Sequence, residues 1–156
     1  MVYTDDTLIL FMKIHELGHV VLYVSDLERS ATFYKDILGF NELHRDFHSA
    51  FFSSLRTHHE LLLIEVGGEK RPLGRHEPGL YHIGFKIGNS TDDIRKAYEE
   101  LQHHNVTIVG ATDHHITHSL YILDPDNNEL ELYADVNDDW KTNPQAIVAE
   151  AKRLYL

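Results

Sequence analysis

The chain has 156 residues, with 14 Lys and Arg against 25 Asp and Glu, a formal net charge of −11. Such an acidic chain lacks the basic face that displaces counterions from nucleic acid or docks on anionic lipid, so neither is an expected partner. With no cysteine there is no disulfide framework, thiolate zinc site or cysteine nucleophile, a composition that fits the cytoplasm.

The early apolar run Leu8 to Met12 is too short to span a bilayer and lacks the flanks of a signal peptide. Residues 1–13 are read as an extension before the first patterned segment. Leu17 to Val24 reads as a strand, rich in β-branched and apolar residues. Ser25-Asp26-Leu27-Glu28 follows as a capping box, and Leu27, Ala31, Tyr34 and Leu38 recur at helical spacing until Gly39 supplies the stop. Further strands are predicted at Ala50 to Leu55 and Glu60 to Val66, and a Gly-, Pro- and charge-rich stretch, 67–79, reads as a linker.

The order then begins again. Leu80 to Ile87 matches the first strand, Ser90 to Asp93 offers a second capping box, and Ile94, Ala97, Tyr98 and Leu101 repeat the helical stripe. Strands near Thr107 to Val109, Ser119 to Asp124 and Glu129 to Ala134 close the second unit. The predicted fold is α+β: two βαβββ modules, about 14–75 and 76–136, forming one curled mixed-sheet metal cup with helices on the outer face. Units this small cannot each bury a good core alone, so they are expected to pack as one domain.

Histidine is the unusual residue, with 13 copies, and spacing chooses among them. The repeat relates His19 to His82. Strand parity puts Val20, Leu22 and Val24, and likewise Ile83, Phe85 and Ile87, on the helix side, with His19 and His82 on the other. In the closing hairpin Leu130 and Leu132 face the helices while Glu129, Glu131 and Tyr133 face away. Two imidazoles and a carboxylate form the facial triad that suits Fe(II), with Mn(II) or another divalent metal a close competitor. His19, His82 and Glu131 are therefore the predicted ligands. His15, His44, His48, His76, His103 and His104 show no paired pattern and are read as surface residues.

His19 to Ser30, with Phe33-Tyr34-Lys35-Asp36-Ile37-Leu38-Gly39-Phe40, resembles the first unit of the glyoxalase, bleomycin-resistance and extradiol-dioxygenase superfamily. Asp124-Pro125-Asp126-Asn127-Asn128-Glu129-Leu130-Glu131-Leu132-Tyr133 is similar to its closing hairpin. The resemblance spans roughly residues 14–136 and implies the same three ligands. Aligning Phe52-to-Ile64 with Tyr121-to-Tyr133 places Leu62 where the second unit has Glu131, a departure from the fourth ligand of glyoxalase I enzymes. Glu65 has the wrong parity to replace it. The stretch His114-His115-Ile116-Thr117-His118-Ser119-Leu120-Tyr121 is similar to the catechol extradiol branch. That likeness implies that His114 and Tyr121 hold the substrate, and His59-Glu60-Leu61-Leu62-Leu63-Ile64 resembles the strand start that supplies the acid-base histidine of that branch, which implies this role for His59 or its neighbour His58.

The expected activity is thus ring cleavage of a catechol-type aromatic by molecular oxygen. The alternatives are a glyoxalase-like lyase or isomerase, a thiol transferase on the same metal, and a metal-free drug-binding resistance protein. Phe47, Phe51 and Trp140 are possible sources of an aromatic wall. The tail, 137–156, reads as a helix beginning at Thr142-Asn143-Pro144, with Ile147, Val148, Ala151 and Leu154 on one stripe. A homodimer using that tail is the expected assembly.

Overall fold

Alternation of buried and exposed residues defines the first strand, β1 (Val20–Val24). Leu22 and Val24 are buried while Val21 and Tyr23 are exposed, as the period-two pattern requires. The computed structural model describes residues 13–74 and 78–156; the extension before residue 13, and His76, lie outside them. β1 leads into helix α1 (Leu27–Thr32), whose N-cap is Asp26, one residue later than the serine-led box implies. Its carboxylate accepts the Arg29 N–H at 2.8 Å. The helix continues as a wider π turn over Phe33–Ile37 and closes with the Leu38 N–H on the Phe33 carbonyl at 3.1 Å.

β2 (Asn41–Arg45), β3 (Ser49–Ser53) and β4 (Leu61–Glu65) complete the first unit. β2 is absent from the sequence expectation because its polar, largely exposed residues carry no alternating apolar face. The second unit comprises β5 (His82–Gly88), α2 (Thr91–His103), β6 (Ile108–Asp113), β7 (Thr117–Leu123) and β8 (Glu129–Asp135). α2 starts as its capping box predicts, with Ser90 accepting from the Asp93 N–H and donating to the Asp93 carboxylate. Gly88 is required there, because an added Cβ would lie 2.4 Å from Asp93 Oδ2.

Two mixed sheets result, ordered β1-β4-β3-β2 and β5-β8-β7-β6-β9, where β9 is Lys152–Arg153. Each unit pairs its first strand parallel to its last in the same register: Val20 with Leu61, and Ile83 with Leu130. β1 and β5 thus lie at an edge of their respective sheets. Leu22, Val24, Leu61 and Leu63 of one sheet and Ile83, Leu120, Leu130 and Leu132 of the other join α1 and α2 in one apolar core.

The tail departs from the expected helix. It makes short 3-10 turns at Asp139–Lys141 and Pro144–Val148, then extends and pairs β9 with the edge of β6. Asn143 does accept from the Gln145 N–H, as a helix cap would. The main chain then turns extended at Ala149, so Ile147 and Val148 stay exposed while Leu154 reaches the core.

Candidate active site

The parallel pairing of β5 with β8 sets Gly84 beside Glu131, and the antiparallel pairing of β7 with β8 sets Tyr121 opposite it. A Cβ on Gly84 would stand 3.4 Å from Glu131 Oε2, so the glycine leaves room for that carboxylate beside the strand. His82, two residues earlier on β5, brings Nε2 to 3.2 Å from Glu131 Oε2. On the other oxygen, the Tyr121 hydroxyl donates to Oε1 at 3.2 Å. Having spent its only proton there, the phenol oxygen accepts from His114 Nε2–H, 2.8 Å away. Burial first, and the Glu131 charge second, push the Tyr121 phenol far above its ordinary pKa, so it stays a neutral donor.

His114 reaches this group because its turn is tight. Its N–H bonds the Thr117 carbonyl at 2.8 Å, and His115 takes a left-handed backbone with φ 72°. The neighbouring histidines point elsewhere: His115 pairs with Asp139 at 3.1 Å, and His118 contacts Thr91 and Asp113.

His19 and His59 form a separate pair on the first unit, with ring centroids 4.6 Å apart. His59 also packs edge-on against Phe51, and its Nδ1 lies 2.6 Å from that of His58. Desolvation foremost, followed by the His58 and His19 charges, lowers the His59 pKa and favours the neutral ring. His19 lines a cleft of about 630 Å³ whose far wall includes Ile83, Gly84 and Phe85. Among the described residues, no three His, Asp or Glu side chains converge closely enough to hold a metal. The structure thus joins His82, Glu131, Tyr121 and His114, and leaves His19 with His59. The donor set of the joined group, one imidazole nitrogen and one carboxylate oxygen, suits a divalent ion that still needs a further ligand.

The remaining expectations divide. Glu65 bonds the Leu27 N–H at 2.7 Å, so it serves the helix start and not a ligand position. In the first unit Phe51 faces Leu62 as Tyr121 faces Glu131, so Phe51 is the counterpart of Tyr121; the first hairpin carries one extra residue. Phe47 is 95% exposed and Trp140 sits near Lys86 and Lys141, which leaves Phe51 alone beside a site histidine.

One anchor went unread in the sequence. Asp126, in the turn between β7 and β8, is buried and accepts from the Ser25 N–H at 3.0 Å, from the Ser25 hydroxyl, and from Arg29 at 3.1 Å. Asp124 beside it receives the Tyr34 hydroxyl at 2.9 Å. These bonds tie the start of α1 to the turn that delivers Glu131.

Residues 16–132 match the Glyoxalase/Bleomycin resistance protein/Dioxygenase superfamily. The chain is 32% identical over 126 residues to a catechol-2,3-dioxygenase of Bacillus subtilis, covering 79% of this chain and 44% of that one. It is 30% identical over 126 residues to the metallothiol transferase FosB of Staphylococcus haemolyticus, covering 79% and 86%. It thus spans less than two thirds of the dioxygenases it matches, 44% and 63% of two of them. A solved glyoxylase/bleomycin resistance protein/dioxygenase domain from Frankia sp. EAN1pec superposes with a TM-score of 0.64 at 26% identity, covering 80% of this chain and all of that one. Family match and fold agree: the chain belongs to the glyoxalase/bleomycin resistance protein/dioxygenase superfamily.

Proposed function

We propose that the chain is a metal-dependent dioxygenase that opens the ring of a catechol-type aromatic, with His19, His82 and Glu131 as ligands. The observation that carries this reading is the hydrogen-bonded row His114–Tyr121–Glu131 beside His82. Such a row supplies two aimed polar groups next to a ligand pair. Fe(II), or Mn(II) in its place, would supply the template on which a catecholate and oxygen meet.

The chain's own residues have four tasks. Glu131 and His82 present one oxygen and one nitrogen donor from neighbouring strands. Tyr121, kept protonated, and His114 orient a substrate hydroxyl by hydrogen bonding. Gly84 keeps β5 free of a side chain beside Glu131. His59, held toward its neutral form, is suited to accept a proton from the substrate.

His19 needs a route to this site. The Asp126 bonds fix how the two units meet within one chain, and β1 and β5 each lie at a sheet edge. We therefore assign the third ligand to a second copy: in a homodimer, His19 and His59 of one chain would face His82 and Glu131 of the other.

A thiol transferase is the second reading, supported by the 30% identity to the Staphylococcus haemolyticus metallothiol transferase FosB over 126 residues. Anaerobic Fe(II) reconstitution followed by oxygen-electrode assays over a catechol panel tests the first reading. Thiol consumption with an epoxide antibiotic and Mn(II) tests the second. Metal-dependent oxygen uptake with a catechol is the expected result, and thiol loss without oxygen uptake would replace it.

A further inference from the structure

We propose that Glu129 is a positioning residue for His82, accepting a hydrogen bond from Nδ1–H so that Nε2 is left free to bind metal. This rests on His82 being a ligand. A histidine that gives Nε2 to a metal must carry its proton on Nδ1, and that N–H is almost always held by a carboxylate, carbonyl or water. Among the described residues, the buried His82 Nδ1 has no hydrogen-bond partner. A buried donor without an acceptor is unfavourable, so the group calls for one.

Glu129 is placed to answer. It pairs with His82 across the parallel β5–β8 ladder, and its Oε1 lies 3.9 Å from Nδ1. A side-chain rotation closes that gap to the ~2.8 Å of a charge-assisted bond. Meanwhile Nε2 points the other way, toward Glu131 Oε2 at 3.2 Å. The two carboxylates on alternate residues of β8 thus stand at the two nitrogens of one ring: Glu131 at the metal side, Glu129 at the supporting side. Tyr81 stacks edge-on against His82 with centroids 4.7 Å apart.

The first unit shows that this is not a generic product of the repeat. Glu60 occupies the corresponding place beside His19, since the Val20 N–H bonds the Glu60 carbonyl as the ladder begins. Its carboxylate is taken by the Ser54 N–H at 2.9 Å, the Ser54 hydroxyl at 3.1 Å and the Thr57 N–H at 3.2 Å. A supporting carboxylate is thus committed to a turn in one unit and available to the ring in the other.

The test is Co(II) titration of the full chain, read by the visible absorption of the ion, for wild type, His82→Ala, Glu129→Ala, Glu129→Gln and Glu129→Asp. Glu129→Ala should weaken binding about 10–100-fold with the wild-type band shape retained. Glu129→Gln, which keeps an uncharged acceptor, should fall between, and thermal unfolding of the metal-free proteins should be unchanged. Wild-type affinity in Glu129→Ala, with His82→Ala defective, would overturn the role of Glu129 while leaving the ligand reading intact. A changed band shape would make Glu129 itself a ligand and also overturn it. Full Co(II) binding by His82→Ala would remove the ligand reading and this proposal together.

Discussion

Tyr121 and Glu131 face each other directly across the β7–β8 ladder, and the phenol donates to one carboxylate oxygen while His82 approaches the other. The two oxygens are thereby distinguished before any metal binds. One is held by a neutral hydroxyl and the other is free to become a ligand. Tyr121→Phe removes only the hydroxyl, so Glu131 keeps its place on the strand but loses its brace. We expect metal content to persist by elemental analysis, with turnover reduced about 10–100-fold. An unchanged rate would reduce Tyr121 to packing.

Asp126 carries a structural prediction. Its buried carboxylate receives Ser25 and Arg29 from the start of α1, and Ser30 lies at 3.4 Å. Asp126→Ala strands these donors and should cost about 2–4 kcal/mol, measured by urea unfolding. Arg29→Ala should cost about 1 kcal/mol or less, because the guanidinium side chain is 43% exposed and screened by water. Equal losses in both variants would mean that the ion pair, and not the serine bonds, holds the turn.

The contrast between these two residues shows what local sequence can reveal. Tyr121 and Glu131 belong to one hairpin, so strand parity and a turn near Asp126 suffice to pair them. The same strand patterning finds β1, β3, β4, β5, β7 and β8, where apolar residues recur. It misses β2, whose polar residues include Glu42 and Arg45, half-buried and paired with each other. Asp126 meets Ser25 across 101 positions, a distance that no local pattern spans. The proposed ligand set is partly legible for the same reason: the repeat singles out His19 and His82, but how the two units face each other is decided by such distant contacts. The tail misleads because Asn143 and Pro144 do begin a helical turn, after which the unpaired edge of β6 captures the chain.

That capture also ties the tail to the site. Asn137 Nδ2 donates to the His115 carbonyl at 2.6 Å, and Asp139 holds the His115 ring at 3.1 Å, so the tail braces the turn that presents His114. Truncation after Asp135 should loosen this turn, lower stability by about 1–2 kcal/mol, and slow turnover in the same direction as His114→Ala should. Because β9 pairs with its own chain, light scattering should show an unaltered oligomer. A dissociated oligomer would return the tail to the interface between copies.

The assignment of His19 to a second copy makes the sharpest prediction. His19→Ala and Glu131→Ala should each abolish tight metal binding, since each removes a ligand from every site of a symmetric dimer. When the two variants are unfolded together and refolded as a mixture, half of the dimers should be hybrids. In a hybrid, the His19→Ala chain still carries His82 and Glu131, and the Glu131→Ala chain still carries His19. One site per hybrid is therefore intact and the other lacks both groups, so the mixture should regain about a quarter of the wild-type metal content. If the triad instead forms within one chain, by closure of the cleft between His19 and Gly84, every chain in the mixture remains defective and nothing is regained. Elemental analysis of the refolded mixture separates the two outcomes, and a result at the level of the single variants would end the shared-site assignment.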